Sequence, residues 1–169
     1  MTTMKNRTYD EITIGESAEV VREVTRADIE MFAVVSGDVN PAHLDDAYAA
    51  GTRFKNVIMH GMWSGAVISM LLGTRLPGPG TIYLSQSLNF RRPVSIGDRI
   101  TFRATVKDKR DDKKFVTLEC TGVNQDGKTV VDGEAVVMAP TETLEPAVPA
   151  VPTVLVARGG AAPVPFERK

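Results

Sequence analysis

Three polar residues in a turn-forming segment could transfer protons. Asp38, Asn40 and His43 lie within SGDVNPAHLDDAYAA, residues 36–50. An ionised carboxylate and a neutral imidazole, with an ordinary pKa of about 6.5, can divide the base and acid roles of one reaction near neutral pH. If the two side chains meet, they can hold one water molecule between them. The same residue types also compose ordinary surface turns, so their presence alone leaves both interpretations open.

The backbone around these residues is expected to bend. Pro41 disfavours helical angles at Asn40, which predicts a loop between two helical pieces. Upstream, Thr25 can cap a helix of about three turns, with Asp28 in the third position after it. Downstream, an acidic pair can cap a short helix that Gly51 ends.

The most apolar segment predicts a central helix. Residues 60–75 read HGMWSGAVISMLLGTR, with apolar residues at helical spacing on one side and apolar or small residues on the other. A helix that is hydrophobic nearly all round is buried. The small residues within it would let a sheet approach closely.

From residue 82 onward the period of the apolar pattern changes to two, which indicates half-buried strands. We predict strands at 82–90, 100–107, 115–123 and 127–138, paired as an antiparallel meander, with one further strand near residues 20–24. The sequence therefore predicts an α+β fold in which a long antiparallel sheet accompanies one buried helix.

Composition narrows the functional classes. The 169 residues carry a net charge of −1, which argues against nucleic acid or an acidic membrane as the main partner. Cys120 is the only cysteine, so an internal disulfide and a multi-cysteine zinc site are excluded. The first twenty residues have charges throughout and no apolar core of a signal peptide, and the apolar stretch at 57–72 is too short to span a bilayer. We expect a soluble, cytoplasmic protein.

The last thirty residues differ in composition from the rest. Six of the ten prolines lie from residue 140 onward. We predict one domain over residues 1–139 and a tail over 140–169 that is extended or disordered and dispensable for chemistry.

The 36–50 segment, with Phe32 four residues ahead of Ser36 and Ala49 six residues beyond His43, resembles the hydratase signature of the MaoC-like (R)-specific enoyl-CoA hydratases. HGMWSGAVIS and LGTRLPGPGTIYLSQSLNFRRPVSIGD resemble the same family's helix and first long strands. The likeness covers roughly residues 8–139 and is strongest to the hydratase-like domain that precedes phosphate acetyl- or butyryltransferases. It implies the hotdog fold, in which the sheet wraps the helix.

The resemblance implies that trans-2-enoyl-CoA and water are converted to (R)-3-hydroxyacyl-CoA, or the reverse, without a metal or other cofactor. Asp38 and His43 match the family's catalytic acid and histidine, and Asn40 matches the polar residue between them. The backbone N–H of Gly61, at the start of the central helix, is suited to stabilise charge on the thioester oxygen. His60 is expected to cap or pack near the helix start rather than react.

Several alternatives remain open. A hotdog thioesterase or an acyl-carrier-protein dehydratase is a second enzyme class, and a catalytically weak acyl-CoA-binding or dimerisation module is a non-enzymatic reading. The resemblance also implies a homodimer or a higher homo-oligomer. Arg91, Arg92 and Arg103 are candidates for contact with the CoA phosphates, although a solvated strand face explains most of the basic excess there.

Overall fold

The computed structural model describes residues 2–157 and 159–166. Its helices are α1 (Arg26–Ser36), α2 (Pro41–Leu44), α3 (Asp46–Gly51) and α4 (Gly61–Thr74). Its strands are β1 (Ser17–Glu23), β2 (Ile82–Gln86), β3 (Asn89–Phe90), β4 (Arg99–Arg110), β5 (Phe115–Val123), β6 (Thr129–Met138), β7 (Leu155–Val156) and β8 (Val164–Pro165). Within the described ranges, no helix is both long and apolar enough to cross a membrane.

The helices that lead to the polar segment follow their predicted caps. Thr25 and Asp28 form a capping box at the start of α1, as the sequence predicted. Gly37 ends α1 in the left-handed conformation, with φ of 75°, which glycine adopts without steric cost. The prediction of a plain loop between α1 and α3 was wrong, because Asn40 caps the one-turn helix α2. The proline that favoured a loop lies at the first position of α2, where a missing N–H costs nothing.

The main sheet is antiparallel, but its order differs from the predicted meander. The strands run β1-β4-β5-β6-β2, and β3 also pairs with β6. The strand predicted at residues 82–90 is therefore split into β2 and β3. Both pieces pair with β6 rather than with β4. β1 occupies the free side of β4, so the 82–90 segment can pair only at the opposite edge of the sheet.

Helix α4 packs against one face of this sheet, on β4 and β1. Trp63 meets Phe102 of β4 edge to face with ring centroids 5.7 Å apart, and Ile68 and Leu71 are fully buried. This is the hotdog arrangement that the resemblance implied. The expectation that α4 is buried all round was wrong, because Met62 is 59% exposed and its neighbours along the same face are also exposed.

The segment after β6 is attached to the N-terminus. Residues 140–148 run extended beside residues 2–9, with Met4 N–H donating to Pro146 O and Asn6 N–H donating to Leu144 O. The buried Asn6 side chain also donates to Glu142 O and accepts from Leu144 N–H. The predicted boundary after residue 139 would separate this paired segment from the domain, so we propose that the structural unit extends to about residue 149.

Two truncations test that boundary. Ending the chain after Ala150 is expected to leave the melting temperature and turnover nearly unchanged, because it spares every contact of Asn6. Ending it after Ala139 is expected to lower the melting temperature by several degrees, at a cost of about 1–3 kcal/mol. It removes the bonds of the buried Asn6 side chain to Glu142 and Leu144 and leaves only the bond to Pro79 O. Equal melting temperatures for the two truncated proteins would show that residues 140–150 do not stabilise the domain, and the boundary would then lie at residue 139.

Candidate active site

The segment that carries Asp38 is shaped by local hydrogen bonds. Asp38 N–H donates to Ser36 Oγ, and Asp38 Oδ1 accepts from Asn40 N–H. The Asp38 side chain is about half exposed, at 51%. The second carboxylate oxygen, Oδ2, points to the side of the loop on which His43 lies.

His43 is positioned by the one-turn helix α2. Asn40 Oδ1 accepts from Ala42 N–H and so caps that helix, which makes the Asn40 carbonyl oxygen a structural group here. His43 is buried, and its Nδ1 lies 2.7 Å from Ile58 O. Because a carbonyl oxygen only accepts, Nδ1 carries the proton and Nε2 of the neutral ring offers a lone pair.

The structure brings the predicted acid and imidazole together. Asp38 Oδ2 and His43 Nε2 lie 4.0 Å apart, too far for a direct hydrogen bond. Both atoms are acceptors, so a water placed between them would donate one hydrogen to each. The oxygen of that water would then present its lone pairs away from the pair, toward an electrophile.

His60 joins these groups to helix α4. Its Nε2 lies 3.0 Å from Asp38 O, and its ring stacks on His43 with centroids 3.9 Å apart. It packs at the helix start, as predicted, without capping α4 through its side chain. Burial lowers the pKa of His60, and neighbouring His43 lowers it further, while the hydrogen bond to Asp38 O opposes the shift. The His60 ring is therefore neutral near pH 7.

A cavity of about 320 Å³ opens beside the two histidines. Its wall includes His43, His60 and Gly61, while Asp38 lies outside the lining. A side chain on Gly61 would come within 3.1 Å of the Phe90 ring, so glycine lets the β3 segment close against the start of α4. Gly61 is the first residue of α4, so its N–H has no acceptor within the helix and is available to a ligand in this cavity, whereas Trp63 N–H donates to His60 O.

Three arginines also line the cavity. Arg92 donates to Thr129 O, and Arg91 pairs with Asp132 through two hydrogen bonds of 2.6 and 3.0 Å. Arg53 lies over the Phe54 ring at 4.9 Å. Arg103 is not among the lining residues.

Of the basic residues singled out in the sequence, Arg91 and Arg92 therefore reach the cavity. Arg103 instead pairs with Glu19, across the β1–β4 pair. Arg53 was missed, because it follows α3 in a segment with no basic pattern. Only the path of the chain from α3 to α4 carries Arg53 to the cavity wall.

Asp38, His43 and His60 are residue types that can also bind a metal ion. One potential ligand atom from each of Asp38, His43 and His60 falls within 4.8 Å of the others. A bound ion must lie near the plane of each imidazole that coordinates it, and two rings stacked at 3.9 Å direct their nitrogens side by side rather than toward one point. The geometry therefore favours a shared water over a shared metal ion.

Comparison with known proteins shows the family of the chain. Residues 11–137 match the family model described as a MaoC-like domain. The chain belongs to the MaoC-like family. An (R)-specific enoyl-CoA hydratase of Rhodospirillum rubrum is 48% identical over 132 residues, covering 78% of this chain and 91% of that protein. A 3-hydroxybutyryl-CoA dehydratase of Methylorubrum extorquens is 40% identical over 132 residues, covering 78% and 83%.

A solved MaoC-like relative shares the fold closely. The unliganded (R)-hydratase of Pseudomonas aeruginosa superposes with a TM-score of 0.89 at 46% identity. The match covers 92% of this chain and 100% of that one, so it extends beyond β6 into the segment that pairs with the N-terminus. The family resemblance and the hotdog fold predicted from the sequence are thereby confirmed. The narrower likeness to a domain preceding phosphate acyltransferases stays a prediction.

Proposed function

We propose that this MaoC-like protein hydrates trans-2-enoyl-CoA to (R)-3-hydroxyacyl-CoA, and catalyses the reverse dehydration, by activating one water between Asp38 and His43. The observation that carries the proposal is the pair of acceptor atoms 4.0 Å apart, one of them on His43, which lines the cavity. The hydratase and dehydratase names of the relatives support the same reaction in its two directions.

Hydration can be written without a cofactor. The water donates to Asp38 Oδ2 and His43 Nε2, and its oxygen attacks C3 of the enoyl group. One water O–H bond breaks as the C3–O bond forms, and the pair takes that proton. The electrons of the C2=C3 double bond move toward the thioester oxygen. The pair then returns a proton to C2, so atoms and charge balance, with general acid–base catalysis contributing about 10²–10⁴ in rate.

The negative charge on the thioester oxygen needs hydrogen-bond donors. Gly61 begins α4 and lines the cavity, and the start of a helix presents unpaired N–H groups with a favourable dipole. We assign the Gly61 N–H this role. Asn40 serves the reaction indirectly, since it holds the one-turn helix that presents His43.

One assay separates the candidate functions. With crotonyl-CoA, we expect enoyl absorbance to be lost without release of free CoA, and prior dialysis against a chelator to leave the rate unchanged. Free CoA release would indicate a thioesterase instead. Tight crotonyl-CoA binding without turnover would indicate an acyl-CoA-binding module. A far higher kcat/KM with the same acyl group on an acyl carrier protein would indicate an acyl-carrier-protein dehydratase.

We propose that the cavity arginines contact the phosphates of CoA. Arg53 and Arg92 carry positive charge at the wall that also holds the histidines, and neither pairs with a carboxylate in the part of the chain that the structure describes. Replacing both with alanine is expected to raise KM for crotonyl-CoA about tenfold while kcat changes little, because partly solvated charge contacts contribute of the order of 1 kcal/mol.

A truncated substrate sharpens this test. Crotonyl-pantetheine lacks the CoA nucleotide, so the double arginine variant should use it as well as the unaltered protein does. Arg103→Ala is the matched control and should leave KM for crotonyl-CoA unchanged, since Arg103 lies outside the cavity wall. An equal rise in KM for both substrates would contradict contact with the nucleotide.

We also propose that the protein is a homodimer joined along the β2 edge. Ile82, Leu84 and Phe90 in this part of the sheet are 55%, 44% and 53% exposed, although the alternating sequence pattern predicts that they are half-buried. Met62, on the open face of α4, is 59% exposed. Isolated apolar edge strands favour association, and a second copy would cover them.

Light scattering is expected to give twice the chain mass of 18.3 kDa at micromolar concentration. Replacing Ile82 and Leu84 together with lysine should shift the protein toward monomer, because charge on an edge strand opposes pairing. Val34→Lys is the matched control, since Val34 is 78% exposed on α1, outside that edge. A mass near 18.3 kDa for the unaltered protein would overturn the dimer.

We assign the protein to the cytoplasm, where CoA thioesters are formed and consumed. Its single thiol, Cys120, is buried on β5, and burial raises the pKa of that thiol to about 11. The thiol is therefore unreactive and compatible with a reducing compartment.

A further inference from the structure

We infer that His60 is a positioning residue that holds Asp38 and His43 at the separation needed to share one water; this inference rests on the proposed hydratase function. His60 contacts both members of the pair, the first through a hydrogen bond and the second through a ring stack. It is also the residue immediately before Gly61, so it lies where the loop, α2 and the start of α4 meet.

The hydrogen bond attaches an exposed loop to the core. The hydrogen bonds of Asp38 to Ser36, the last residue of α1, and to Asn40, the cap of α2, join it only to elements that are adjacent in sequence. Asp38 O accepts from His60, which is 22 residues away at the start of α4 and only 2% exposed. This bond therefore restrains the backbone of Asp38, whose side chain is half exposed, by attaching it to the buried start of α4.

The ring stack fixes the orientation of the imidazole. The hydrogen bond from His43 Nδ1 to Ile58 O fixes one atom of the ring. This bond alone would still let the ring plane rotate about it. His60 covers its face with an interplanar angle of 29°, and the Phe32 ring of α1 supports His60 at a centroid distance of 5.1 Å. Together these contacts direct His43 Nε2 toward Asp38 Oδ2.

The hydrogen-bonding state of His60 indicates a role beyond packing. Its Nε2 must carry the proton, because Asp38 O only accepts. Its Nδ1 then bears a buried lone pair that has no hydrogen-bond partner among residues 2–157 and 159–166. Burying an unpaired acceptor is unfavourable, and phenylalanine would fill the same space without that cost. Histidine at this position is explained by the donor it offers to Asp38.

The tautomers can be read in the unaltered protein. Only two histidines are present, so ¹⁵N-labelled imidazoles give few signals in long-range ¹H–¹⁵N correlation spectra, and His43→Gln assigns them. At pH 7 we expect opposite tautomers, with the proton on Nε2 in His60 and on Nδ1 in His43. A proton on Nδ1 of His60 would overturn the inference, because the bond to Asp38 O could not form. This measurement does not depend on activity.

Two variants separate the donor from the ring. His60→Phe keeps an aromatic ring and removes the donor, so we expect kcat with crotonyl-CoA to fall about tenfold or more while KM changes less than about threefold, since small misplacements of catalytic groups act on kcat. His60→Gln keeps an amide donor and removes the ring, and is expected to retain more activity than His60→Phe. A kcat for His60→Phe within about twofold of normal would overturn the inference.

Coupling to Asp38 identifies the route of the effect. Once Asp38→Asn has removed the carboxylate, adding His60→Phe should lower kcat by less than about twofold. A full tenfold loss in that background would mean that His60 acts independently of Asp38. Ile68→Val, at a buried position of the same helix, is the control and should lower the melting temperature without lowering kcat. If the unaltered protein does not hydrate crotonyl-CoA, the proposed function fails, whereas the tautomers still report on the geometry.

Discussion

Asp38→Asn is expected to lower kcat for enoyl-CoA hydration by about 100-fold or more. The amide has the size of the carboxylate, and its oxygen can still accept from Asn40 N–H, so the loop keeps its shape. It cannot accept a proton from the bridging water. The melting temperature should change little, because a half-exposed loop side chain contributes less to folding than core residues do.

The control for this variant is Asp112→Asn, which makes the same charge change in another exposed turn. Asp112 lies between β4 and β5 and pairs with Arg110, away from the cavity wall. Its replacement should leave kcat and KM unchanged. Initial rates at saturating crotonyl-CoA, with melting curves for each protein, provide the comparison. Near-normal turnover in Asp38→Asn would mean that residues 36–40 form an ordinary surface turn without a catalytic role.

His43→Ala is expected to lower kcat by about 100-fold or more, because it removes the second group that holds and transfers protons. His43→Asn is the sharper variant. Its amide nitrogen can stand near the position of Nδ1 and donate to Ile58 O, so α2 keeps its attachment. It offers no basic nitrogen toward Asp38. We therefore expect kcat to fall about 100-fold or more in both variants, with His43→Asn closer to normal in melting temperature.

The double variant Asp38→Asn/His43→Ala tests whether the two groups act as a unit. Groups that share one water lose their joint function when either is removed, so the double variant should be hardly slower than the slower single one. Losses that multiply to about 10⁴ would show that each group performs its own step. Turnover by His43→Asn close to normal would exclude the imidazole as a proton carrier.

Sequence patterns alone were sufficient to propose Asp38, Asn40 and His43 as candidate site residues and to predict most of the elements around them. Local physical rules were sufficient for α1, because the Thr25–Asp28 capping box and the left-handed Gly37 depend only on neighbouring residues. The apolar run of α4 and the period-two strands β4 to β6 are likewise local signals. The resemblance of residues 36–50 and of the α4 segment to the MaoC-like hydratases indicated the family, which the match over residues 11–137 confirms.

The order of strands in the sheet could not be predicted from the sequence. The period-two pattern shows which residues of a strand share a face, but it does not show which strands pair with each other. β1 occupies the side of β4 that a meander would have given to β2, so β2 and β3 cross to β6. Because β2 lies at the edge of the sheet, its apolar residues are exposed. The proposed dimer interface is therefore located at this edge.

The geometry of the candidate site also required the fold. Asp38 and His60 are 22 residues apart, and their hydrogen bond exists only because α4 begins beneath the loop. Arg53 reaches the cavity through the path of the chain, without any pattern in its own segment. A sequence shows which groups could transfer protons, whereas the 4.0 Å separation of Asp38 and His43, and the ring that supports it, are set by packing between elements distant along the chain.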